Sequence, residues 1–250
     1  MTDPDGAAVA YGWTTGQDNW LQVPEVGTFH FTPGSDEVTA VPAQAASVGS
    51  VEHAYRSIAL PLVLQVSGFE ALHGSAVRTA GGVVAFCALS GTGKSTVAYG
   101  LTRRGYTLWA DDAVVFHASQ SSPVLTHPIP FNSGLREDAR SFFHHGNGLA
   151  ERTAVASDQP ERLRAVFLME RTDDMVDAVE VVRQSPADAL AGLIPHAHGF
   201  NLADYARKRR TLESYLALAT QVPVLEMRFR SGLDTLNAVL DGVQTAVAEV

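Results

Sequence analysis

Eight contiguous residues, Ala88-Leu89-Ser90-Gly91-Thr92-Gly93-Lys94-Ser95, follow the pattern G-x-x-x-x-G-K-[ST] at every fixed position except the first, where Ala88 replaces glycine. The chemistry of such a segment is phosphate binding. Small residues at Ser90, Gly91, Thr92 and Gly93 let backbone N–H groups turn inward on phosphate oxygens. A helix that begins there adds partial positive charge through Lys94, Ser95 and Thr96. Lys94 reaches the β- and γ-phosphates of ATP, and the Ser95 hydroxyl is a ligand for Mg²⁺. Ala88 weakens the match to the extent that the position needs positive φ. The chain has 18 basic residues, of which only Lys94 and Lys208 are lysines, so a lysine at this position stands out.

A second acidic element follows at Asp111-Asp112. If the strand before it lies beside the strand before the glycine loop, its C-terminal end enters the same crevice. One carboxylate then holds Mg²⁺, directly or through water, and the other accepts the proton of an attacking hydroxyl. Taken alone, two adjacent Asp residues are also an ordinary turn between strands.

These residues need a strand, a tight loop and a helix to position them. The apolar run 83–89 supplies the strand. Residues 94–104 supply the helix, with Arg103 and Arg104 in its last turn and Gly105 at its end. Residues 69–77 form a partner strand joined through a Gly81-Gly82 turn, and 106–110 and 113–117 form two more. Upstream, Val51, Tyr55, Ile58, Leu62 and Val66 recur at helical spacing, with Pro61 as a kink and Gly68 as a stop. Residues 1–48 differ. A run at 27–32, the turn Pro33-Gly34-Ser35-Asp36 and a run at 37–41 predict a small hairpin-bearing piece.

Downstream, 118–159 is rich in Ser, His, Pro and Gly and reads as loops. Residues 163–169 form a strand, and 187–194 and 201–220 form helices. Leu225, Met227 and Phe229 lie on one face of a half-buried strand. Ser231-x-x-Asp234 reads as a capping box for a last helix carrying Leu233, Leu236, Val239, Leu240 and Val243 on one face. The fold class is therefore α/β, a P-loop nucleotide-binding core with a mixed sheet (49–250) after a small β-rich N-terminal region (1–48).

Composition excludes several alternatives. The 250 residues are 46% hydrophobic, and 21 Gly with 12 Pro is ordinary usage, which excludes collagen-like and low-complexity classes. A net charge of −9 opposes non-specific binding to nucleic acid or anionic membranes, so an anionic ligand must be held locally. The longest apolar stretch, 58–66, is too short to span a bilayer, and no basic n-region marks a secretory signal. Cys87, the single cysteine, lies in an apolar run and reads as a small core residue in a reducing cytoplasm.

The segments Leu72-His73-Gly74-Ser75-Ala76-Val77, the glycine turn, the phosphate loop and 104–112 together resemble the kinase domain of the HPr kinase/phosphorylase family, whose P-loop fold is shared with phosphoenolpyruvate carboxykinases. Residues 1–48 stand where longer HPr kinases carry a large N-terminal domain, and an Arg- and Gly-rich signature after the Asp pair is lacking. The shorter architecture looks more like the HPr-kinase-like enzymes of lasso-peptide biosynthesis, and the segments 128–136 and 164–171 are similar to theirs. The resemblance implies an ATP- and Mg²⁺-dependent serine kinase acting on a precursor peptide. It makes Asp111 the general base and Asp112 the Mg²⁺ partner, with the order of the two left open. His73 becomes an active-site histidine near the transferred phosphate, and Arg136 a guanidinium that neutralises the triphosphate or a substrate carboxylate. A kinase of a small hydroxyl metabolite, a nucleotide-binding regulatory module without transfer activity, and a homo-oligomer remain open.

Other signals read as structural. His144-His145 and His196-x-His198 are loop or helix-end histidines, because no further ligands accompany them at metal-site spacing. The basic run 206–210 is a solvated helix face, with contact to an acidic leader peptide or phosphate as the sharper alternative. Trp109 is a packing residue rather than a base-stacking platform.

Overall fold

The computed structural model describes residues 10–131, 142–143, 159–199 and 204–250. A four-stranded antiparallel meander comes first: β1 (Tyr11–Thr15), β2 (Asp18–Val23), β3 (Gly27–Phe31) and β4 (Val38–Pro42). Its alternation puts Leu21, Val23, Phe29 and Phe31 on one face, where they pack on Ala54, Ala59, Leu62 and Val63. The expected β3–β4 hairpin is present, and β1 and β2 extend it. The partner helix runs as α1 (Val48–Ala54), a π turn (Tyr55–Ala59) and α2 (Leu60–Val66). Pro61 accounts for the interruption: proline cannot donate into the ladder, and the Leu60 N–H reaches Tyr55 O across the wider turn.

The second sheet has the order β11-β12-β10-β6-β5-β8-β9, with β7 also on β5. Its strands are β5 (Glu70–Thr79), β6 (Gly82–Cys87), β7 (Thr107–Ala110), β8 (Ala113–Ser119), β9 (Ser122–His127), β10 (Glu161–Arg171), β11 (Val179–Arg183) and β12 (Val224–Phe229). β6, β10 and β12 run parallel, while β5, β8, β9 and β11 are antiparallel to their neighbours. A short β9–β10 pairing closes a ring through β6, β5 and β8. The architecture is mixed α/β with a small β-rich N-terminal sheet, as expected.

β6 is buried along its whole length because helices cover both faces. Val84, Phe86 and Ala88 face α3 (Lys94–Thr102) and α6 (Leu236–Glu249). Val83, Ala85 and Cys87 face α4 (Pro186–Leu193) and α5 (Tyr205–Gln221). Burial pushes the Cys87 thiol up to about 12, as befits a core residue. Trp109 is fully buried, and its indole N–H donates to Thr126 Oγ1 at 3.1 Å, so it is a packing residue.

Three expectations change. β9 lies inside 118–159, read as loops, and β11 had no predicted counterpart. Ser231 does not cap the last helix. Thr235 holds that position without a side-chain cap bond, and its hydroxyl donates back to Arg230 O and Gly232 O. The basic run on α5 is only partly a solvated face, because Arg207 is buried and pairs with Glu70 Oε1 at 3.1 Å. Gln65 Nε2 also binds Glu70, at 3.0 Å, and Arg207 donates to Gln65 O. Arg207→Ala leaves a buried carboxylate uncompensated, and is expected to lower unfolding free energy by about 3–5 kcal/mol in denaturant titrations. Arg209→Ala, which breaks an exposed pair with Glu213, should barely move the midpoint.

Candidate active site

The loop between β6 and α3 is shaped by two glycines with positive φ, Gly91 at 84° and Gly93 at 120°. Ala88 is not among the described residues with positive φ, so alanine is unstrained where the motif has its first glycine. Gly93 occupies the N-cap of α3 and brings no side-chain acceptor. The first N–H groups of the helix, at Lys94, Ser95 and Thr96, therefore face the loop without a capping side chain, which is the arrangement an anion requires. Lys94 is buried, and its Nζ donates to Ala88 O at 2.9 Å and Leu89 O at 3.3 Å. Ser90, Gly91 and Leu89 are exposed at the loop tip, while Thr92, Ser95 and Thr96 are half-buried.

Strand pairing brings the acidic element to this loop. β5 lies between β6 and β8, pairing Gly74 with Cys87 and His73 with Ala113. Asp111 and Asp112 form the corner between β7 and β8. Asp111 is 4% exposed, and its Oδ1 accepts Ser75 Oγ at 2.6 Å, Ser95 Oγ at 2.8 Å and its neighbour's N–H at 3.2 Å. Ser95 Oγ and the Asp111 carboxylate are two hard oxygen donors in contact, a set that fits Mg²⁺.

Asp112 turns the corner with φ 68°, an uncommon conformation for a residue with a side chain. Its carbonyl accepts the Gly74 N–H at 3.3 Å and His73 Nδ1 at 3.1 Å. Its carboxyl is raised above the usual range, first by burial and then by the charge of Asp111, while His53 on α1 and Lys94 act in the opposite sense. His73 is lowered, mainly by burial and next by the Lys94 charge.

The fold thus gathers His73, the loop residues 90–93, Lys94, Ser95, Thr96, Asp111 and Asp112. Arg136 lies outside the described residues. Three contributors were not expected. Ser75 shares the side of β5 that carries His73, an i, i+2 polar pair flanked by the apolar Ala71, Leu72, Ala76 and Val77. His196 and His198 sit at the end of the helix–turn after α4, a helix-end position as expected, but beside His73: the His73 and His198 rings are 6.1 Å apart. Among the described residues no group of three His, Cys, Asp or Glu side chains could hold a metal ion.

Burial lowers His196 and His198 to about 4, with the charge of His73 adding to the effect on each. Both histidines titrate lower folded than unfolded, so their stability contribution is complete above the ordinary value near 6.5 and is lost as pH falls toward 4. For His198 alone the loss is on the order of 3 kcal/mol. Thermal midpoints should drop between pH 6.5 and 4, and His198→Phe should flatten that drop.

No family model matches the chain, and none of the curated proteins does. Among solved structures, the HPr(Ser) kinase/phosphatase from Coxiella burnetii is similar, with a TM-score of 0.39 and 12% identity over 72% of this chain and 91% of that one. At that distance, the reading of the site rests on its own residues. No helix among the described residues is long and apolar enough to cross a membrane.

Proposed function

We propose that the chain is an ATP- and Mg²⁺-dependent kinase that phosphorylates a hydroxyl, with a serine of a precursor peptide as the acceptor class implied by its sequence resemblance. The observation that carries this reading is the Ser75–Asp111–Ser95 cluster at the mouth of the glycine loop. It joins the hydroxyl of the phosphate-loop motif to a buried carboxylate on a neighbouring strand end, and Asp112 stands next to it.

The geometry favours an order of roles opposite to the one first assigned to the Asp pair. Asp111 Oδ1 already accepts three donors, including the Ser95 hydroxyl, which suits a carboxylate that shares a cation with Ser95. Asp112 is the better base, because its raised proton affinity brings it closer to the operating pH. Mg²⁺ bound at Ser95 and Asp111 would supply charge neutralisation on the β- and γ-phosphate oxygens. The backbone N–H groups of the loop orient the triphosphate. Lys94 exchanges its two carbonyl partners for phosphate oxygens. The acceptor oxygen attacks the γ-phosphorus, the bond to the bridging oxygen breaks, its electron pair leaves with ADP, and the hydroxyl proton goes to the Asp112 carboxylate.

The test is mass spectrometry of serine-containing peptides and of small hydroxyl compounds after incubation with the protein and Mg-ATP. A peptide gaining one phosphoryl group supports the full reading. A phosphorylated small molecule retains the kinase and replaces the acceptor. Nucleotide binding with no transfer to either makes the protein a nucleotide-binding module.

A further inference from the structure

The segment that follows α4 does more than connect two helices. Ile194–His196 forms a single turn of 3₁₀ helix, and Ala197 then makes an antiparallel bridge to Leu72 on β5. The His198 N–H donates to Ala71 O at 2.9 Å, and its carbonyl accepts Gln65 Nε2 at 2.6 Å. That amide belongs to the buried Glu70–Arg207 network, so the segment is fixed at both of its faces by interior hydrogen bonds. The clamp sets His196 and His198 beside His73 rather than in solvent.

The two histidines differ in what they can do. Both ring nitrogens of His198 are buried, with the Asp112 main chain as their nearest polar neighbour, and its ring stands edge-on to that of His73. It is a wall against which His73 is held. His196 is half-buried, and the antiparallel register of the Leu72–Ala197 bridge sets it opposite His73, where the charges of His73 and Lys94 act on it. A neutral imidazole there offers one N–H donor toward whatever anion Lys94 binds. His73 cannot duplicate that role in its neutral form, since its Nδ1–H is spent on Asp112 O and its Nε2 is left as an acceptor.

We propose that His196 is a substrate-contacting residue that donates a ring N–H to an oxygen of the γ-phosphoryl group, with His198 as a positioning residue behind His73. This rests on the kinase reading above, because it takes the anion beside Lys94 to be the terminal phosphate of ATP. The contact distinguishes ATP from ADP. A hydrogen bond to a charged oxygen in a partly desolvated site is worth about ten-fold or more in affinity.

The experiment is calorimetric binding of Mg-ATP and of Mg-ADP to the wild-type protein, His196→Ala and His196→Asn. His196→Ala is expected to weaken Mg-ATP about ten-fold while leaving Mg-ADP unchanged, which also shows that the variant is folded. His196→Asn, which keeps an N–H donor, should recover much of the loss. Equal weakening of both nucleotides, or no change in either, overturns the proposal and leaves the kinase reading intact. A wild-type protein that binds neither nucleotide overturns both.

Discussion

Asp112→Asn is expected to slow phosphoryl transfer by a factor of about 10²–10⁴ while Mg-ATP binds nearly as tightly as to wild type. The amide keeps the size of the carboxyl, and the main-chain carbonyl that orders Gly74 and His73 is untouched. Only the ability to take the acceptor's proton is lost. Asp111→Asn should behave differently. It removes the charge that Ser75 and Ser95 are built around, so the Mg²⁺-dependent part of ATP affinity falls first. Initial rates at saturating Mg-ATP, paired with nucleotide affinity with and without Mg²⁺, separate the two. Swapped phenotypes would restore Asp111 as the base, and unchanged rates in both variants would sink the mechanism. The pH profile gives a second measure. The folded Asp112 carboxyl titrates higher than usual, because burial and Asp111 both disfavour its ionised form. Transfer should be lost as pH falls through that raised value, and Asp112→Asn should abolish the limb.

What the sequence makes legible is what lies close together along it. Ser90 to Ser95 need only one loop and one helix to become a phosphate cradle, and positive φ at Gly91 and Gly93 is what those residue types foretell. The Asp pair is nearly as readable, because one short strand separates it from α3. Ser75 is harder. Its role exists only because β5 lies antiparallel between β6 and β8, which places it against Asp111, 36 positions away. His196 and His198 are harder still, since their location is set by the Leu72–Ala197 bridge and by the Gln65, Glu70 and Arg207 network. Each side chain in that network is polar, and nothing in the local pattern marks it as interior. Arg207 in particular sits in a basic run whose neighbours are solvated. The N-cap expected for the last helix failed for a related reason. Ser231 looks like a cap in sequence, but its N–H goes to Asp173 Oδ1 from a distant turn, and Thr235 takes over.

Lys94→Ala is expected to reduce transfer by about 10³-fold or more, because it deletes the buried cation of the loop just where charge spreads over the γ-phosphoryl oxygens. Lys94 Nζ donates to Ala88 O and Leu89 O, so the cation that phosphate must recruit is one bonded to backbone carbonyls. Losing those two bonds costs stability of about 1–3 kcal/mol, which thermal melting must show to be survivable before rates are compared. Chelating Mg²⁺ should mimic the loss of transfer without that cost. One readout is independent of catalysis. The Lys94 charge depresses both His73 and His196, second to burial for His73 and after burial and His73 for His196. Removing it should raise both values part-way toward 6.5, leaving the burial contribution in place, and imidazole proton shifts in an NMR titration would record the change. Transfer at the wild-type rate in Lys94→Ala would refute the phosphate site. Unmoved histidine titrations would place Lys94 away from the histidine wall and remove the basis for His196 as a γ-phosphoryl contact.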